Sequence, residues 1–118
     1  MAKHNDLGRK GEQMAVDFLS AKGYEIVERN YRYKKAEVDL IAKMGPCLVF
    51  VEVKSRSNTL FDEPENAVHQ KKIDMLHSAA EHYIVECAYE GELRFDIVII
   101  IGNQEPYEIR HIENAFWN

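Results

Sequence analysis

Glu52 and Lys54 stand two residues apart at the end of the apolar run Leu48-Val49-Phe50-Val51. A run of this kind suits a strand buried on both faces. Side chains alternate along a strand, so Glu52 and Lys54 share one face while Val51 and Val53 take the other. A charged pair at the end of a buried strand needs compensation from a partner, a metal or a substrate. One strand earlier, Glu37-Val38-Asp39-Leu40-Ile41 puts Glu37 and Asp39 on a common face by the same alternation. Asp39 and Glu52 lie 13 residues apart, one hairpin's length, so they are expected to meet across adjacent strands. Three carboxylates and one ammonium suit a hard divalent cation, Mg2+ or Mn2+, held through one or two carboxylates. The reaction in reach is hydrolysis of a phosphodiester, where a cation makes a water nucleophilic and offsets developing charge. Lys54 would hold or deprotonate that water, or stabilise the pentavalent phosphorus. Glu12, upstream on the first helix, could join the cation. The competing reading is a plain structural salt bridge between Glu52 and Lys54, since short motifs of the acid-x-Lys form misfire often.

Several elements must position these groups. A helix is expected from a cap at Asn5 or Asp6 to a stop at Gly23, with Leu7, Met14, Ala15, Phe18 and Leu19 along one face. Gly8 and Gly11 each cost about 1 kcal/mol relative to Ala inside a helix. A frayed first turn and a close backbone approach to a strand or a phosphate account for them equally well. Strands are expected over Tyr24–Tyr33, Glu37–Met44 and Cys47–Lys54, joined by Lys34-Lys35 and Gly45-Pro46. Their short connections predict an antiparallel meander. Ser55–Glu63 reads as a loop. Pro64 and Glu65 suit the start of a long helix with Val68, Ile73, Leu76, Ala80, Tyr83, Ile84 and Cys87 on one face, closed by Gly91. A buried strand over Arg94–Ile101 and an edge strand over Tyr107–Ile112 complete the chain. The order α-β-β-β-α-β-β predicts an α/β fold with a central mixed sheet flanked by helices.

The chain has 118 residues, a length for one domain spanning 1–118. No apolar run is long enough to cross a bilayer, and the polar Met1–Asp6 does not read as a leader. Cys47 and Cys87 lack paired or metal-type spacing and are expected to be reduced thiols of a cytoplasmic protein. The net charge of −5 argues against a general nucleic-acid binder. Its distribution softens that objection. Residues 1–57 carry 11 Lys and Arg against 8 Asp and Glu, whereas residues 58–118 carry 4 against 12. The half that bears the motifs is the basic half. Arg9, Lys10, Arg56, Lys71 and Lys72 could contact phosphates, though each singly reads as a solvated charge. Tyr31 and Tyr33 could stack bases but read first as packing residues. His77 and Glu81, one helical turn apart, lack a third ligand and read as a solvated helix face. Asp96 beside Arg94 could brace the site or form a simple ion pair.

Three segments in combination carry a resemblance: Gly8-Arg9-x-Gly11-Glu12-x-x-Ala15, Ala36-Glu37-Val38-Asp39-Leu40-Ile41, and Val49-Phe50-Val51-Glu52-Val53-Lys54-x-Arg56. Together they resemble the YraN family of small bacterial proteins, and the similarity continues through Ala67-Val68, Lys72, Leu76, Ala79-Ala80 and Arg94-Phe95-Asp96. The resemblance implies a PD-(D/E)XK, restriction-endonuclease-like fold, in a superfamily that includes restriction enzymes and Holliday-junction resolvases. It implies Asp39 and Glu52 as metal ligands, Lys54 as the catalytic lysine, Glu12 as an accessory acid and Lys72 as a basic position on the second helix. Glu37 stands where the superfamily's name has Pro, and Ala36 where the family usually has Gly. The expected activity is Mg2+- or Mn2+-dependent endonucleolytic cleavage of DNA, branched DNA among the substrates, with a homodimer as one possible assembly. The alternatives are a DNA-binding module of the same fold that does not cut, and a protein-interaction domain that works through its acidic second half.

Overall fold

The computed structural model describes the backbone of residues 2–57 and 70–115, with side chains from residue 9 onward. Seven elements follow in the order α1 (Ala2–Ala21), β1 (Glu25–Tyr33), β2 (Ala36–Met44), β3 (Cys47–Arg56), α2 (Gln70–Glu86), β4 (Glu92–Ile101) and β5 (Glu108–Ile112). The strands form one five-stranded sheet in the order β1-β2-β3-β4-β5. β1, β2 and β3 are the expected antiparallel meander. β4 returns parallel to β3 after α2, and β5 closes the edge antiparallel to β4. The result is an α/β layer structure with a mixed sheet.

Alternation along the strands sorts the apolar residues into two layers. Val38, Ile41, Leu48, Phe50, Phe95, Ile97 and Ile99 pack with Leu76, Ala79, Ala80 and Tyr83 of α2. Leu40, Ala42, Val49, Val51, Val98 and Ile100 pack with Ala15 and Leu19 of α1 on the other side. β3 and β4 feed both layers, which is why their sequences read as continuous apolar runs.

The helix ends differ from expectation. α1 starts at Ala2, so Asn5 and Asp6 lie inside it and do not cap it. Its C-terminus follows the expected glycine stop. Gly23 takes φ +97°, its N–H bonds to Ser20 O, and Tyr24 N–H reaches back to Leu19 O at 3.0 Å. α2 ends in the same way at Glu86, five residues before Gly91. Ala88 takes the left-handed position with φ 51°, and Tyr89 N–H bonds to Ile84 O at 2.9 Å. Cys87 therefore falls beyond the helix and is exposed. β3 runs two residues further than expected, so Ser55 and Arg56 are strand residues paired with Ile100 and Ile101. The start proposed at Pro64 and Glu65, and Val68, lie outside the described residues, as do the surroundings of Gly8.

Gly11 is a close-approach glycine, and its neighbour is a strand. A Cβ built there would lie 2.7 Å from Ser55 Oγ. This brings α1 down onto the end of β3, beside the charged residues. Gly11→Val is expected to lower stability by about 1–3 kcal/mol despite its better helix propensity, because the added carbons must displace Ser55 or the helix. A denaturant titration read by circular dichroism measures the loss.

Candidate active site

The site lies where β2 leaves β3. The two strands pair from Met44↔Cys47 to Leu40↔Val51 and no further, while β3 stays paired to β4 as far as Arg56. Asp39 and Glu52 are the next residues in register after the last pair. An irregularity in β1 lies opposite this divergence. Asn30 sits opposite Asp39, between Arg29↔Leu40 and Tyr31↔Val38, and its backbone is left-handed at φ 55°. Across this irregularity β2 changes face, with Val38 in the layer under α2 and Leu40 in the layer under α1. Simple alternation thus fails at Asp39. Glu37 is not part of the site: it is half-exposed and pairs with Arg32 at 3.6 Å.

Asp39 turns into the gap and takes a backbone partner that the lost ladder leaves behind. Val53 N–H donates to Asp39 Oδ2 at 2.8 Å. Burial, and after it the negative charge of Glu52, pushes the Asp39 carboxyl up to about 7, with Glu12 adding to the rise. The Val53 N–H and the Lys72 ammonium oppose it without cancelling it. Asp39, Glu52 and Glu12 are therefore near enough for each acid to disfavour the charge on Asp39.

Glu52 is only 3% exposed. Its Oε2 takes two ammonium groups, Lys72 Nζ at 3.1 Å and Lys54 Nζ at 3.3 Å. Its Oε1 is buried and has no hydrogen-bond partner among the described residues. A buried acceptor of this kind costs about 1–3 kcal/mol unless something donates to it or coordinates it. Glu12 approaches from α1, where Asn30 Nδ2 donates to its Oε1 at 3.3 Å and Arg29 stands 4.0 Å away. Among the described residues no group of three or more His, Cys, Asp or Glu is placed to hold a metal ion. A pair suffices for magnesium, which keeps most of its waters and takes one or two carboxylates. The unpartnered Oε1 and the disfavoured charge of Asp39 fit that demand.

The basic residues divide into two groups. Lys54 and Lys72 join the carboxylates directly. Arg9 and Lys10 are exposed on α1, and Lys10 Nζ stands 5.2 Å from the centre of the Tyr107 ring, in a recess shared with Gly11, Ser55 and Gly102. Arg56 is half-buried at the end of β3, its guanidinium donating to Ser55 O at 3.0 Å. Arg9 and Lys10 flank the site from α1, whereas Arg56, next to the α1-facing Ser55, shares the Glu52 and Lys54 face of β3 by the strand's alternation.

A scan of family models matches residues 11–100 to the family described as "Uncharacterised protein family UPF0102". The chain belongs to UPF0102. Within it, a UPF0102 protein of Christiangramia forsetii is 50% identical over 117 residues, covering 99% of this chain and 98% of its own. The UPF0102 protein FP2501 of Flavobacterium psychrophilum is 42% identical over 118 residues, covering 100% and 99%. A UPF0102 protein of Phocaeicola vulgatus is 40% identical over 117 residues, covering 99% and 97%. The YraN-like resemblance of the motifs is thereby placed on this family. The UPF0102 match begins at Gly11 and takes in Glu12, Asp39, Glu52, Lys54 and Lys72.

Other residues weighed from sequence have structural roles in this UPF0102 chain. Asp96 is fully buried on β4. Arg94 grips it with two hydrogen bonds of 2.9 Å, His111 lies 2.7 Å away, and Asn114 N–H donates at 3.0 Å. Burial pushes the Asp96 carboxyl up, but the bonds from His111, Arg94 and Asn114 outweigh it and hold it below the usual carboxylate range. It ties β4, β5 and the final turn together. His77 packs edge-on against Phe95 at 4.6 Å and does not lie on a solvated face. Tyr31 and Tyr33 both pack on His82, with Tyr31 Oη 2.7 Å from His82 Nδ1. No helix is long and apolar enough to cross a membrane among the described residues. Asn30, Val53 N–H and the Gly11–Ser55 contact shape the site, and sequence reading missed the first two. The signal for Asn30 was its residue type, since Asn tolerates the left-handed region better than most.

Proposed function

We propose that this protein is a metal-dependent endonuclease with a restriction-endonuclease-like, PD-(D/E)XK arrangement, hydrolysing phosphodiesters in DNA. The observation that carries the reading is the buried Glu52 with an unpartnered Oε1, next to an Asp39 whose charge is disfavoured. A Mg2+ or Mn2+ held by Asp39 and Glu52 would supply an activated water and a positive centre beside the phosphate. Lys54, fixed on Glu52 from its own strand, presents an ammonium along the same face. Its role is to stabilise negative charge on the phosphoryl oxygens or to hold the attacking water. Glu12 is the accessory acid from α1. Arg9 and Lys10 on the α1 side, with Arg56 and Lys72 on the α2 side, would meet flanking phosphates. A homodimer would set two such sites on one branched DNA.

One observation favours the non-cleaving, DNA-binding alternative. Lys54 and Lys72 both sit on Glu52 Oε2, so two ammonium groups already compensate that carboxylate without a cation. The deciding experiment incubates the protein with linear, flapped and four-way DNAs in Mg2+, Mn2+ or chelator, beside Glu52→Gln. Cleavage that needs the cation and Glu52 supports the enzyme. Binding without cleavage on every DNA supports the alternative.

The basic flank makes its own prediction. Replacing Arg9, Lys10 and Arg56 together by Gln is expected to weaken duplex binding by roughly tenfold or more at low salt and to flatten the salt dependence by up to about 3 in slope. Fluorescence anisotropy across a salt series measures both, and an unchanged slope removes these residues from the interface.

A further inference from the structure

Lys54 and Lys72 meet the same oxygen of Glu52 but are held in different ways. Lys54 comes from β3 itself, two residues from Glu52, with its side chain 22% exposed. Lys72 reaches across from α2, and its side chain is 43% exposed although its ammonium makes the shorter contact, 3.1 Å. Its charge is also felt by Asp39, on which it acts against burial and the neighbouring acids. Lys72 thus puts positive charge over both carboxylates that the proposed cation would bridge. A divalent ion there would stand close to the same ammonium, and like charges repel strongly at such separations away from bulk water. The flexible four-carbon stem and open flank of Lys72 let it withdraw, whereas the strand holds Lys54 in place.

We infer that Lys72 is the resident counter-ion of the carboxylate pair and exchanges with the divalent cation, so that cation binding releases its ammonium toward the substrate's phosphate. The inference rests on the proposed cation site and adds its control. Without DNA, Lys72 competes with the cation and keeps its affinity low. With DNA present, the displaced ammonium gains a phosphate partner, so cation and polyanion favour each other's binding, reciprocally. Lys72 acts on the cation through Glu52 and Asp39 and, once released, on the substrate's phosphate directly.

The test is Mn2+ binding measured by isothermal titration calorimetry, without DNA, on the parent, Lys72→Met, Lys72→Arg and Glu52→Gln, with circular dichroism to verify folding. Lys72→Met is expected to bind Mn2+ on the order of tenfold more tightly than the parent. Lys72→Arg, which keeps the charge, is expected to stay near the parent, and Glu52→Gln to lose the site. A merely structural lysine would not tighten cation binding when removed. Mn2+ binding that Glu52→Gln abolishes but Lys72→Met leaves unchanged or weaker overturns the exchange and spares the cation site. No Mn2+ binding by the parent or by Lys72→Met overturns the cation site, and the exchange with it. Lys72→Gln replaces the Met variant if the latter does not fold, with the same expectation.

Discussion

Lys54→Met is expected to lower metal-dependent DNA cleavage on the order of 10²–10³-fold while leaving a folded protein that still binds DNA. The reason lies in the sharing of Glu52 Oε2. With the Lys54 ammonium gone, Lys72 remains 3.1 Å from the same oxygen, so Glu52 is not left as a bare buried charge. The stability loss should therefore stay below about 2 kcal/mol, short of the 3–5 kcal/mol typical when a buried pair loses its sole partner. Transition-state stabilisation has no such reserve, because Lys72 comes from the opposite element and is not aligned along β3. The expected pattern is a fall in kcat with DNA affinity nearly unchanged. Thermal melting beside single-turnover cleavage separates the two effects. A large melting loss that Mn2+ does not repair, with a parent that cuts no DNA, would make Lys54 a strut.

Asp39→Asn is expected to stabilise the metal-free protein above pH 7 while ending cleavage. Burial and the charge of Glu52 push the Asp39 carboxyl up to about 7 in the folded chain, well above the ordinary carboxylate range. The folded state thus holds this proton more tightly than the unfolded state. As pH rises from about 4 to about 7 the unfolded chain has already lost the proton, and the folded chain must follow. Stability from this group therefore falls across that window and stays low above it. Asn keeps an oxygen for Val53 N–H and carries no charge beside Glu52. The gain at pH 8 is expected to be about 1–3 kcal/mol, fading to nothing near pH 4. Mn2+ should stabilise the parent at pH 8 and leave Asp39→Asn unmoved. Urea melts at pH 4, 6 and 8, with Mn2+ or chelator, measure the whole pattern. An Asn variant less stable than the parent at pH 8 would show that the carboxylate is structural.

The fold was largely legible because its rules are local. Short connections at Lys34-Lys35 and Gly45-Pro46 dictated the meander, and the apolar runs of β3 and β4 marked strands covered on both faces. Glu52 and Lys54 could be put on one face because β3 is regular there. Asp39 could be picked out, but its direction could not. Two-residue alternation pairs it with Glu37, whereas β2 changes face at Asp39, opposite the left-handed Asn30 of the neighbouring strand. That is a cross-strand feature, absent from any pattern within β2. The end of α2 falls short of Gly91 because Ala88 takes the left-handed position that usually selects Gly. The contact of Lys72 with Glu52 depends on how α2 lies across the sheet, which spacing within α2 does not contain. Gly11 carried a usable signal, an expensive residue inside a helix, but only the packing decided between strand and phosphate.

The central claim is that Asp39 and Glu52 hold one divalent cation between β2 and β3. Anomalous diffraction from crystals grown in Mn2+ tests it most directly. The account predicts a manganese peak coordinated by an Asp39 carboxylate oxygen and by Glu52 Oε1, with Lys72 Nζ displaced from Glu52. Crystals saturated with Mn2+ that show no peak between these carboxylates, with Lys54 and Lys72 still seated on Glu52, would contradict it.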